Sequence, residues 1–207
     1  MRTMADILEF PQGPKNTKLL RRGKNADLRT REYLTEQEII RLYNGAKAVG
    51  RNRHRDYTLI LVGYRHGFRV SELIKLRWEQ VDFEAACLYV KRTKRGTPST
   101  HPIKGDELKA LRKLKREYPN SPYVFVSERD GPLSPQAVQS ILKRAGKMAG
   151  FSFQVHPHML RHSCGFKLAN DGHDTRSIQS YLGHRNIQHT VLYTELAPDR
   201  FKNFWKD

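Results

Sequence analysis

Carboxylates are scarce in this chain. Its 207 residues carry 21 Asp plus Glu against 38 Lys plus Arg, a formal net charge of +17 at pH 7. That excess goes far beyond what solubility requires and points to a polyanionic partner. Long apolar runs are missing too: none approaches the roughly 20 residues of a membrane-spanning helix, and no signal-peptide pattern opens the chain. The expectation is a cytosolic protein with no membrane partner. Cysteine is limited to Cys87 and Cys164, without CxxC spacing or a disulfide framework, so both read as small buried hydrophobes in a reducing compartment. His156, His158, His184 and His189 are widely spread and interrupted by arginine, a poor zinc set. No metal and no cofactor are expected.

No internal repeat is visible, and the Pro and Gly breaks are too short for domain linkers. Residues 1–33 mix Pro11, Gly13, Pro14 and Asn16 with Lys15, Lys18, Arg21, Arg22 and Lys24, and read as a basic, flexible arm. Thr35-Glu36-Gln37-Glu38 matches a capping box and opens the folded part, residues 34–207. A second helix through Tyr57, Leu59, Ile60, Leu61, Val62 and Tyr64 is apolar nearly all round, hence buried, and closes at Gly67. Ser71 is the expected cap of the next helix. Cys87–Val90, a basic turn, and Ser99–Ile103 predict a β-hairpin. Helices follow over 106–118 and after Ser134-Pro135, where a capping serine precedes proline at the first helical position. The fold class is mainly α with a small antiparallel sheet.

Several polar residues have unusually determined positions. Arg69 sits at the junction of two helices, suited to phosphate or to an ion pair with Glu72. Lys94 lies in the hairpin turn, where the plain alternative is a charged edge residue. His158 and Arg161, spaced i and i+3, share a helix face, so one phosphate would satisfy both. Gly172 ends that helix, Asp174 or Thr175 caps the next, and Gly183 stops it, placing His184 at a bend. Tyr193 stands between Thr190 and Thr194, a phenol placed to attack. With no acidic pair beside them, fixed cations could stabilise a phosphoryl transition state where carboxylates would otherwise hold metal ions.

The order Arg69, Lys94, His158-x-x-Arg161, His184, Tyr193, with Gly-Phe-Arg-Val-Ser-Glu-Leu, His-Met-Leu-Arg-His and Leu-Gly-His, resembles the tyrosine recombinase (phage integrase) family over residues 34–194. Within it, the short length and the segments 99–102, 154–163 and 182–191 are similar to the fimbrial phase-variation recombinases, which invert a promoter-bearing DNA segment. The arm lacks the length and apolar content of the wider family's separate core-binding domain. The resemblance implies a tyrosine recombinase catalytic-domain fold, and a Tyr193 attack on a DNA phosphodiester that leaves a 3′-phosphotyrosyl link and needs neither ATP nor metal. Arg69 and Arg161 would clamp the phosphate oxygens and His184 would hydrogen-bond the phosphate. Lys94 would protonate the departing 5′-oxygen, and His158 would assist proton removal from the phenol or the reattack step. It further implies double-stranded DNA with inverted-repeat sites, a tetramer on synapsed DNA, accessory DNA-bending proteins, a nucleoid-associated location, and a C-terminal segment bearing Phe201, Phe204 and Trp205 lodged in a neighbour. An integrase of a mobile element, a topoisomerase-like nicking enzyme and a DNA-binding regulator with an inert site stay open.

Overall fold

The computed structural model describes residues 32–93 and 96–195. Lys94, the arm up to residue 31 and the tail from residue 196 lie outside the described residues. The capping box forms as read. Glu38 donates its N–H to Thr35 Oγ1 at 3.3 Å, and Thr35 N–H donates to the Glu38 carboxylate at 2.8 Å, opening α1 (Glu36–Ala48). Ile39 and Leu42 are buried, whereas Ile40 of the same apolar run faces solvent. The second helix, α2 (Arg53–Arg65), buries Leu59, Ile60, Leu61 and Val62 completely. Gly67 follows it at φ +56, where a Cβ would lie 2.4 Å from Leu182 Cδ2, so both conformation and space demand glycine.

The four-residue α3 (Val70–Leu73) departs from expectation, because Arg69 rather than Ser71 is its N-cap. The reason is Glu72, whose carboxylate accepts the Arg69 N–H at 3.0 Å and fixes the helix start two residues earlier. After a 3₁₀ turn at Trp78–Gln80 come β1 (Val81–Asp82), β2 (Cys87–Val90) and β3 (Ser99–Pro102), an antiparallel sheet in the order β1-β2-β3. The hairpin was legible, but the two residues of β1 are too few to show an alternation. Leu88 faces Val81 on one side and His101 on the other. Of the two cysteines expected to be buried, Cys164 is and Cys87 is only half-buried.

Helix α4 (Gly105–Glu117) turns Ala110, Leu111 and Leu114 inward and leaves Lys109, Arg112, Lys113 and Arg116 exposed. A buried segment, Val124 to Val126, leads to α5 (Pro135–Met148), capped by Ser134 Oγ, which accepts the Ala137 N–H at 3.1 Å. The remaining helices are α6 (Pro157–Asn170), α7 (Thr175–Leu182) and α8 (Gln188–Glu195). Asp174 caps α7 by accepting the N–H groups of Arg176 and Ser177, and Gly183 ends it at φ +66.

The apolar side chains segregate into two clusters. The larger joins α1 to α6 and the sheet around Leu42, Leu59, Leu88, Leu111, Phe125 and Leu142. The smaller is built on α6, α7 and α8 from Cys164, Phe166, Ala169, Ile178, Leu182 and Tyr193. Among the described residues no helix is long and apolar enough to cross a membrane.

Candidate active site

Glu72 organises one side of the site. Its fully buried carboxylate accepts from Arg69 Nη1 at 2.8 Å, Arg92 Nη1 at 3.2 Å, Thr93 N–H at 2.9 Å and Thr93 Oγ1 at 3.0 Å, besides the Arg69 N–H. Burial alone would raise its pKa, yet the main-chain donors of Arg69 and Thr93, with both arginines, pull it down to about 2. Arg69 therefore keeps its ion pair with Glu72 and still lines a cavity of about 600 Å³ with His184, Arg176, Arg185 and His189.

Arg92 read in sequence as one member of a basic turn, but it is buried. Its Nη2 donates to the carbonyls of His66 at 3.0 Å and Tyr181 at 2.5 Å, and its stem packs where a Cβ on Gly183 would sit, 2.6 Å from Arg92 Cγ. Nothing local signals this, since its partners lie far away in the chain. Thr93 and Gly96, the described residues nearest Lys94 in sequence, lie against the same assembly. Thr93 is held by Glu72, and a Cβ on Gly96 would stand 2.8 Å from the Gly183 carbonyl.

Arg161 is buried on α6 and donates to the carbonyls of Gly67 and, at 2.8 Å, Leu182. Burial, with the charges of Arg69 and Arg92, lowers its pKa to about 10, which leaves it charged at neutral pH. It thus ties the turn preceding Arg69 to the turn preceding His184. His158, three residues earlier on α6, is exposed, so the shared face runs from solvent to interior.

His184 Nδ1 lies 2.8 Å from Thr190 Oγ1, leaving Nε2 as the ring nitrogen for the cavity. Burial first, then the neighbouring cations, lower its pKa to about 3, so the imidazole is neutral. The Tyr193 ring stacks near it with centroids 6.2 Å apart and meets Phe166 edge-on at 5.2 Å. Only 1% of Tyr193 is exposed, and the ring passes so close to Gly165 that a Cβ there would lie 2.5 Å from Tyr193 Cε2. Burial pushes the phenol up to about 12 against the opposing charge of Arg161 and Arg69. Its hydroxyl lies 3.0 Å from His162 Nδ1. Sequence reasoning missed this histidine, although its i+4 spacing from His158 was a visible signal.

The structure thus gathers Arg69, Arg161 and His184 at the Gly67 and Gly183 turns, with the Tyr193 ring beside His184 and its hydroxyl on His162; of these, Arg69 and His184 line the cavity, and His158 is exposed near the start of α6. These residues sit on a mainly helical architecture beside a three-stranded sheet. The phage integrase family model matches residues 32–200, and the chain belongs to that family. It is 46% identical over 185 residues to the type 1 fimbriae regulatory protein FimB of Escherichia coli (strain K12), covering 87% of this chain and 92% of FimB. To FimE of the same strain it is 42% identical over 182 residues, 85% of this chain and 91% of FimE. The crystal structure of XerA recombinase superposes with a TM-score of 0.72 at 28% identity, covering 83% of this chain and 63% of that one. The protein is accordingly a tyrosine-type site-specific recombinase, an enzyme that cuts and rejoins DNA strands.

Proposed function

We propose that this recombinase inverts a double-stranded DNA segment bounded by inverted repeats and so switches fimbrial gene expression. The observation that carries this reading is the 46% identity to FimB over 92% of that protein's length. Tyr193 is the nucleophile: its oxygen attacks phosphorus, and the 5′-oxygen departs as the 3′-phosphotyrosyl bond forms. Arg69 supports the phosphate from the cavity it lines with His184, whose Nε2 supplies a further hydrogen bond. Arg161 retains N–H donors beyond the two spent on main-chain carbonyls. His158, beside it on α6, moves a proton at the reattack step.

Lys94 protonates the leaving oxygen. The anchoring of Thr93 and Gly96 on either side of it supports the assignment. Residues 1–33 form a basic arm that tracks DNA phosphates, and 34–207 form the catalytic domain. Four copies act on synapsed DNA with accessory DNA-bending proteins, in the cytoplasm beside the nucleoid.

The test is incubation with a supercoiled plasmid carrying candidate inverted repeats, followed by trapping and sequencing of the covalent adduct. Inversion with the adduct on Tyr193, abolished in Tyr193→Phe, is expected. An adduct on Tyr181 would overturn the nucleophile assignment, and insertion or excision without inversion would overturn the proposed DNA outcome.

A further inference from the structure

Tyr193, buried in the smaller core, places its Oη 3.0 Å from Nδ1 of the half-buried His162. Two neighbours hold the phenol there. The Tyr193 ring is fixed by Gly165 and Phe166, and the rings of His162 and Tyr193 lie edge to face with centroids 5.8 Å apart. The segment leading into the domain runs along the same stretch of α6: Tyr33 packs on Phe166 at 4.0 Å and Leu34 N–H donates to Ser163 Oγ at 2.8 Å.

We propose that His162 is the residue that accepts the Tyr193 proton as the phenol attacks DNA. This rests on the recombinase reading above and moves the phenol proton from His158, exposed on the same helix with its ring 6.5 Å from that of His162, to the histidine that meets the Tyr193 oxygen. The Oη–H bond breaks and the proton passes to Nδ1 of the neutral imidazole. The freed electron pair on Oη forms the bond to phosphorus, and the bond from phosphorus to the 5′-oxygen breaks. That oxygen leaves with its electron pair and takes a proton from Lys94. On rejoining, the 5′-hydroxyl gives its proton to the neutral Lys94 amine as its oxygen bonds to phosphorus, the bond from phosphorus to Oη breaks with its pair on Oη, and His162 returns its proton to that phenolate.

The electrostatics around His162 suit the task. Burial, with His158 and Arg161, lowers its pKa from 6.5, while the Glu32 carboxylate opposes them. The base is therefore neutral and available at pH 7, and Glu32 stabilises the imidazolium once it has formed. A phenol raised to about 12 ionises hardly at all at that pH without such a partner.

Single-turnover formation of the covalent adduct tests this, using the full chain, pH 5.5 to 9, and a nicked duplex carrying the repeat recovered by adduct sequencing. The native rate rises through the His162 transition below pH 6.5 and then levels. In His162→Phe it falls about 100-fold at pH 7 and climbs with pH without levelling, while binding to the uncut duplex is retained. His162→Gln, which keeps a hydrogen-bond acceptor but has no base, follows the same slope and decides the matter if the phenylalanine variant does not fold. A native pH profile in either folded variant overturns the proposal. Tyr193→Phe run alongside separates the two readings: an adduct that persists there places the fault in the nucleophile assignment, not in His162.

Discussion

Replacing Glu72 by glutamine changes one atom and removes the charge that two buried or half-buried arginines share. The carboxyl falls from 4.5 to about 2 in the folded chain, a difference worth roughly 3 kcal/mol of stability at neutral pH. Breaking a buried ion pair costs about 3–5 kcal/mol, which agrees. For a domain of this size, about 3 kcal/mol corresponds to a loss of some 6–12 °C in Tm. The sign follows from the lowered pKa: the stabilisation is complete above pH 4.5 and is lost as pH falls toward 2. Thermal melts of the native chain and Glu72→Gln at pH 7, 4 and 3 should show a wide gap that narrows with acid, since protonated Glu72 and glutamine are alike in shape and charge. Equal Tm values at pH 7, or a gap unchanged down to pH 3, would refute the reasoning.

Lys94→Ala should slow cleavage of an ordinary phosphodiester sharply and be rescued by a 5′-bridging phosphorothiolate, whose sulfur leaves without a proton; equal slowing on both substrates would reduce Lys94 to a phosphate contact. Gly165→Ala drives a methyl group into the Tyr193 ring at 2.5 Å, so the adduct yield should collapse with a stability loss of about 1–3 kcal/mol and DNA binding retained. Native-level adduct formation in that variant would mean the observed ring position is not needed for attack. Cleavage should persist in EDTA, and loss in chelator restored by magnesium would overturn the metal-independent mechanism.

Features written in neighbouring residues were legible in the sequence. The Thr35 and Ser134 caps, the Asp174 cap and the left-handed glycines at 67, 172 and 183 each depend on a few consecutive positions. Ser71 was misread because a capping serine is a local signal, whereas the Arg69 N–H is claimed by a carboxylate whose position is set by Thr93 and Arg92. Arg92 looks like its neighbour Lys91 in sequence, and it is the distant Glu72 carboxylate and the Gly67, His66 and Tyr181 carbonyls that distinguish the buried cation from the exposed one. His162 was hidden for a related reason, since its partner hydroxyl comes from α8.

The sharing of carbonyls by Arg92 and Arg161 has a consequence for when the enzyme becomes dangerous to its substrate. Arg92 draws on His66, Gly67 and Tyr181, and Arg161 on Gly67 and Leu182, so each guanidinium needs both an early and a late stretch of the chain. A fragment carrying only one stretch would leave each guanidinium short of part of its acceptors, Arg92 without the Tyr181 carbonyl or Arg161 without that of Gly67. The site is therefore completed only when both stretches are in place. A nascent or clipped chain can still attract DNA through its charge, but it is unarmed, and strand scission belongs only to the finished fold.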